Sequence, residues 1–401
     1  MREIIKNVYA SDRTCHLGGE ILSSFFNSLI PGKKYLFLLG FCDVHVHFRE
    51  PGFSYKGTVK QGSIAAAAGG YTTVFTMPNL NPVPDSLENL SVQLDIINRD
   101  SAVRCIPYGS ITVGEGGNQL SDMEDIAPFV AGFSDDGRGV QREEVMKAAM
   151  LKAKSLGKMI VAHCEDNSLL RGGYIHDGDY AKKNGHRGIC SESEYLPIKR
   201  DLELVRETGV KYHVCHISTK ESVELIREAK REGLDVSCET APHYLILDDT
   251  DLKEEGRFKM NPPLRSPEDR EALIEGIKDG TIDMIATDHA PHSAEEKSLG
   301  LKGSPFGVVG LECAFPALYT HLVKTGVITL DRLEELLAVN PRVRFGQALP
   351  TADFSLWEID EEYALNPEEF FSCGKSTPFD GMKFFGKCVM TSLDGKIIFT
   401  R

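Results

Sequence analysis

The sequence predicts an α/β fold: a (β/α)8 TIM-type barrel with a small β-module formed by the N- and C-terminal segments. Three features support this. Eight strand-like apolar runs succeed one another, helix-like amphipathic segments separate most of them, and most runs finish on a polar or ionisable residue. Alternating strand and helix implies parallel βα units. Eight such units suggest a barrel whose active site is built at the C-terminal ends of the strands.

The elements follow in order. Residues 1–37 give weak signals, a short possible strand near Glu3 to Tyr9 and then Gly18-Gly19, and are assigned to the small β-module. The barrel is assigned to 38–345. Its strand-like runs are 36–47, 72–79, 103–112, 129–137, 159–166, 212–219, 235–245 and 281–291. Helix-like text lies at 57–70, 141–157, 192–209 and 220–233, and several of these segments end in glycine, the expected stop signal. Residues 292–310, HSAEEKSLGLKGSPFGVVG, are rich in Gly, Ser and charge with little periodicity, so they are expected to form a lid loop over the pocket. Helix-like text resumes at Leu311 to Thr325 and Leu330 to Val339. The tail, 346–401, carries short β-like pieces at 356–359, 387–391 and 396–400, with a turn signal at Asp394-Gly395. No internal repeat beyond the βα alternation is evident.

Composition bounds the function. The 401 residues are 41% hydrophobic and 26% charged, ordinary for a globular chain. A formal charge of −14 argues against a nucleic-acid surface, and an anionic substrate would have to be drawn in by local positive groups. No run reaches membrane-spanning length, and the start shows no signal-peptide pattern, so a cytoplasmic protein with reduced thiols is expected. The ten cysteines include no CxxC pair, which disfavours a structural zinc knuckle.

The first barrel run closes on DVHVHFREPG, residues 43–52. Side chains two apart on a strand point to one side, so His45 and His47 can offer two imidazoles to a metal, with Arg49 two residues further on. Other runs end near Asn79, Asp135 and Asp136, His163, His216, and Asp288 with His292 just beyond. Four histidines and two acids at one barrel rim exceed what one tetrahedral zinc needs and fit two ions sharing a bridging group. Such a pair generates hydroxide near neutral pH and polarises a carbonyl, which implies hydrolytic attack on an amide, ester or phosphoryl centre.

The stretches DVHVHFREPG, GGYTTVFTMPN, FSDDG, AHCED, HVCHIST, ETAPHYL, MNPPLR and ATDHAPH, in that order, resemble the type I dihydroorotases of the amidohydrolase superfamily. The likeness runs from about residue 38 to the C-terminus. It implies reversible cyclisation of N-carbamoyl-L-aspartate to (S)-dihydroorotate plus water, in pyrimidine biosynthesis, with two Zn2+ per subunit. On this resemblance His45, His47 and Asp288 hold one zinc and His163 and His216 the other, with Asp136 and a hydroxide bridging them. The hydroxide is the nucleophile and Asp288 the general acid and base. Arg49, Asn79 and His292 bind the substrate carboxylate, Asn261 lines the pyrimidine side, and Phe306 and Gly307 complete the substrate contacts. Arg49 suits that role physically, because a guanidinium pairs a carboxylate through two parallel hydrogen bonds. A homodimer is expected, with association with aspartate carbamoyltransferase as a further possibility.

Two choices between neighbours follow. Many binuclear amidohydrolases bridge their metals with a carboxylated lysine, but FVAGFSDDGRG has none. Asp136 takes the motif position, and Asp135 would face the opposite side of an extended strand. His216 is likewise preferred over His213, which reads as a packed strand residue, while His176, His186 and His321 read as structural or surface. The rival readings are another cyclic amidase, allantoinase- or hydantoinase-like, and a catalytically inactive scaffold relative. The first expects the missing lysine in its hydantoinase form; the second expects lost ligands, whereas every expected ligand position is filled.

Overall fold

The computed structural model describes residues 8–10, 29 and 32–401. Eight parallel strand positions among the described residues form the barrel wall: β1 (Phe41–Val46), β2 (Tyr71–Thr76), β3 (Arg104–Pro107, resumed at Gly109–Ser110), β4 (Phe133–Ser134), β5 (Met159–Ala162), β6 (Lys211–Val214), β7 (Val236–Thr240) and β8 (Met284–Ile285). Each pairs with the next in parallel, and the ring closes through a bridge between Val46 and His289. Cys42, Val44, Phe75, Met77, Tyr108, Met159, Val161, Cys215, Met284 and Ala286 fill the interior. Phe345 packs against Phe75, Tyr108 and His213.

The helices on the outer face start and stop on local signals. Thr58 caps α1 (Val59–Ala68) with a reciprocal bond pair to Gln61, and Ser86 caps α2 (Leu87–Asp100). After α3 (Glu143–Ser155) come α4 (Glu192–Thr208), which stops at left-handed Gly209, α5 (Lys220–Arg231), capped by Thr219, and α6 (Pro267–Asp279), capped by Ser266. The eighth unit is completed by Ala314–Leu318 and Tyr319–Val323.

Most strands are shorter than the apolar runs suggest. Pro107 cannot donate to a ladder, which interrupts β3. At the strand ends, side chains take over backbone N–H groups: Asp135 accepts from Ile111 and Thr112, and Asp43 accepts from Thr287. The run 235–245 turns helical at Pro242–Ile246, with proline in the first turn. The loop 292–310 is not irregular throughout, since it contains helical turns at Ala294–Lys297 and Gly300–Gly303.

A second sheet joins both chain ends. Among the described residues its order is Val8–Ala10, Tyr35–Leu39, Phe354–Glu358, Lys387–Leu393 and Lys396–Thr400. The expected strand at Glu3 to Tyr9 is seen only from Val8, because the residues before it lie outside those described. TADFSLWEID supplies the central strand of this sheet, and Trp357 on it is fully buried.

Candidate active site

The strand C-termini open into a cavity of about 170 Å³. It is lined by His47, Arg49, Asn79, Asp136, His163, His216, Asn261, Asp288, His292, Phe306 and Gly307, together with Gly137 and Ala290. Of the residues assigned to the site from the sequence, His45 alone does not line it; it is fully buried. Two larger clefts of about 390 Å³ lie on the small sheet and along the 292–310 loop; the first has no imidazole in its lining and the second has only His292.

Local geometry aims these groups. The β1–β2 register slips between Asp43 and Val46, so Val44 packs in the barrel interior and its neighbour His45 also reaches inward. Strict strand alternation therefore does not orient His45. His216 and Asp288 lie past the ends of β6 and β8 with positive φ, 29° and 48°. Non-glycine residues rarely hold that conformation, and it turns their side chains out of the strand direction into the pocket.

Asp136 stands at the centre of the cluster. Its carboxylate lies 3.4 Å from His45 Nε2, 3.4 Å from His47 Nε2, 3.5 Å from His163 Nδ1 and 3.6 Å from His216 Nε2. Asp135 points away and is consumed by the backbone of Ile111 and Thr112 and by the Thr112 hydroxyl. Asp288 Oδ1 is 3.0 Å from His47 Nε2 and 3.6 Å from His45 Nε2. Among the described residues three donor groups lie close enough to hold a metal: His45, His47 and Asp288; His45, Asp136 and His216; and His45, Cys215 and Glu239. His163 Nδ1 joins the second side at 3.0 Å from His216 Nε2.

The donor set fits divalent cations. His45 Nε2 and Asp136 Oδ1 are buried without a hydrogen-bond partner, as is His163 Nε2, and such orphans are costly unless something binds them. Burial opposes charge on these groups, yet Asp136 and Glu165 push the His163 imidazole up to about 10. Burial works against the Asp136 charge too, but His45, His163 and His216 hold its carboxyl well below the usual range. A buried knot of carboxylates that draws protons onto its imidazoles is one that calls for a cation.

Partners behind the cluster fix the tautomers. Glu239 Oε1 accepts from His45 Nδ1 at 2.7 Å, leaving Nε2 for a metal. Its other oxygen accepts from His213 Nε2 at 3.0 Å, so His213 is a packed strand histidine tied also to Ser237. Cys215 lies near His45 and Glu239, but burial pushes its thiol up, so it stays protonated. Asn79 Oδ1 accepts from His47 Nδ1 at 3.0 Å, and its amide N–H groups have no protein partner among the described residues. Arg49 spends only Nε, on the Pro291 carbonyl at 3.2 Å; its terminal nitrogens have no protein partner among the described residues. Asn261 donates to Glu165 at 2.8 Å. Gly307 sits at φ 125°, where an added Cβ would come within 2.8 Å of Ala290 and 3.0 Å of His292 Nε2, so only glycine fits.

Glu239 and Glu165 were missed in the sequence. Glu239 carries a signal, an acid inside the apolar run DVSCETAPHYL, because a charge buried in a strand needs a partner.

Residues 34–222 match the family model for "Dihydro-orotase-like" domains. A dihydroorotase of Fusobacterium nucleatum is 52% identical over 379 residues, covering 93% of this chain and 89% of that one. One from Bacillus licheniformis is 50% identical, covering 90% and 86%. Among solved structures, the L-hydantoinase (dihydropyrimidinase) of Arthrobacter aurescens superposes with a TM-score of 0.80 at 27% identity, covering 91% of this chain and 85% of that one. The barrel and its buried imidazole–carboxylate cluster define a metal-dependent hydrolase of the amidohydrolase class. Within that class, the chain belongs to the dihydroorotase family.

Proposed function

We propose that the chain is a dihydroorotase that interconverts N-carbamoyl-L-aspartate and (S)-dihydroorotate plus water, a step of pyrimidine biosynthesis. The observation that carries this reading is the pairing, in one pocket, of a metal-binding cluster with the unpartnered fork of Arg49 and the free amide of Asn79. Such a fork suits a substrate carboxylate, which a neutral cyclic amide lacks.

Two zinc ions, one at His45, His47 and Asp288 and one at His163 and His216, with Asp136 between them, would supply hydroxide at neutral pH and polarise the amide carbonyl. The chain's own groups do the rest. Arg49 takes the carboxylate together with Asn79 and His292, and Phe306, Gly307 and Asn261 frame the ring. Asp288 moves the proton. Burial works against its charge, but the His47 bond and the His45 charge hold its carboxyl below the usual range, so it is ionised and ready to accept. In hydrolysis it passes the proton to the departing ring nitrogen; in cyclisation the path runs backwards.

The reading places a barrel at 38–345 between the two halves of the small sheet, 1–37 and 346–401. It carries with it a cytoplasmic homodimer. No helix among the described residues is long and apolar enough to cross a membrane. Sedimentation tests the dimer, and co-sedimentation tests association with aspartate carbamoyltransferase. The activity is tested by following dihydroorotate hydrolysis and carbamoyl-aspartate cyclisation with zinc-loaded protein. No turnover in folded, loaded protein overturns the reading; preference for an uncharged hydantoin counts against the assigned roles of Arg49 and Asn79.

A further inference from the structure

His292 lines the pocket together with Arg49, and each of its ring nitrogens has a protein partner. Its Nε2 lies 2.7 Å from the Phe306 carbonyl, which can only accept, so Nε2 carries the proton. Its Nδ1 lies 3.3 Å from Lys56 Nζ and 3.4 Å from Glu296 Oε2; with the neutral ring's proton on Nε2, Nδ1 accepts from Lys56. Burial, with the charges of Arg49, Lys56 and Lys297, pulls its pKa down to about 3, in keeping with a neutral ring.

Lys56 is the group behind this arrangement. It stands at the end of the turn Ser54–Lys56, in the loop that follows β1, and reaches across to the loop that follows β8. There it also meets Glu296 at 3.1 Å, while the other Glu296 oxygen accepts the Ser293 N–H at 2.9 Å. The side chain is only 15% exposed, so its charge is poorly screened by water. In a chain of net charge −14, an anion needs such local cations.

We propose that Lys56 is a positioning residue of the anion subsite: it fixes the His292 tautomer that holds the Phe306 carbonyl, and it adds a second positive charge beside Arg49 for the substrate carboxylate. This deepens the dihydroorotase reading and rests on it. Glu296 offsets part of the Lys56 charge, so the two residues have opposite effects on an anion although they bond to each other.

The test compares wild type, Lys56→Met, Lys56→Arg and Glu296→Gln, zinc-loaded and checked for folding by circular dichroism. Dihydroorotate is the substrate, and dihydrouracil, the same ring without the carboxylate, is the competing ligand. Lys56→Met is expected to raise KM for dihydroorotate about tenfold, with kcat falling less than threefold and the dihydrouracil inhibition constant moving less than twofold. Lys56→Arg restores most of the KM, and Glu296→Gln leaves KM equal or lower. If Lys56→Met does not fold, the Arg and Gln variants still read the charge. An unmoved KM in Lys56→Met overturns the proposal, as do equal KM rises in Lys56→Met and Glu296→Gln, which would mark a latch without an electrostatic role. If wild type binds dihydroorotate without turning it over, the dihydroorotase reading fails, while the dissociation constants of wild type and Lys56→Met still judge Lys56. If it does neither, both fail.

Discussion

At the scale of single residues, the site depends on which atom of each side chain is left free. Asp136 reaches four imidazoles at 3.4 to 3.6 Å, so its removal leaves them without a shared anion. Asp136→Ala is expected to abolish turnover and weaken zinc binding, read by activity and by zinc retained after dialysis; an active variant contradicts the bridging role. Glu239 does not line the cavity but decides the His45 tautomer. Glu239→Gln must present an N–H to one of its two imidazoles. Loss of such a partner typically costs about 10- to 100-fold in metal affinity. A zinc titration with a competing chelator checks this, and unchanged affinity would rule out the orienting role. His45 and His47, by their spacing, and Asp136 over Asp135, by its motif position, were singled out from the text, and the structure brings Asp136 within 3.4 Å of both imidazoles. Glu239 and Lys56 were not, because their partners lie 194 and 236 residues away in the chain.

At the scale of elements, the 292–310 loop shows how a segment without periodicity becomes ordered. Ser293 and Glu296 cap its first helical turn reciprocally, a Ser-x-x-Glu signature present in HSAEEK and open to reading from the text. What holds the loop shut is tertiary. Lys297 is buried and donates to the carbonyls of Lys259, Pro305 and Gly307 at 3.0, 3.0 and 2.7 Å. These bonds tie together the segments that carry Asn261, Phe306 and Gly307. Leaving buried acceptors unpaired costs roughly 1–3 kcal/mol each. Lys297→Met is therefore expected to lower the thermal midpoint by several degrees and to raise KM more than kcat falls. A variant with wild-type melting and wild-type KM would show that the clamp is idle.

At the scale of the molecule, the small sheet and the barrel share one interior. Trp357 from the sheet stacks near Phe315 and Phe41 of the barrel, and Gly70, at φ 79°, makes room for it: a Cβ there would lie 2.5 Å from the indole. Glu312 pins the C-terminal segment by accepting the N–H groups of Phe371 and Ser372. Burial pushes its carboxyl up to about 7 from 4.5. Between those pH values the folded chain keeps a proton that the unfolded chain has released, so this contribution to stability is full below 4.5, falls as pH rises, and is level above about 7. The difference is on the order of 3 kcal/mol. Glu312→Gln is expected to shrink the wild-type loss of stability over that range by a similar amount, measured by urea unfolding at a series of pH values. Parallel curves for the two proteins would refute it.

The sequence by itself determined the order of βα units, the helix caps and stops, and the ligand types at the strand ends, because these are set by residues a few positions apart. Only the tertiary structure decided how the ring closes, from Val46 to His289. It also decided where strands give way to side-chain bonds, and which nitrogen of each histidine stays free. Those outcomes depend on partners brought together from across the chain by closure of the barrel, and no local pattern encodes them. HxHxR thus reads as two ligands and a carboxylate fork in the text, but what holds each in place is Glu239, Asn79 and the Pro291 carbonyl.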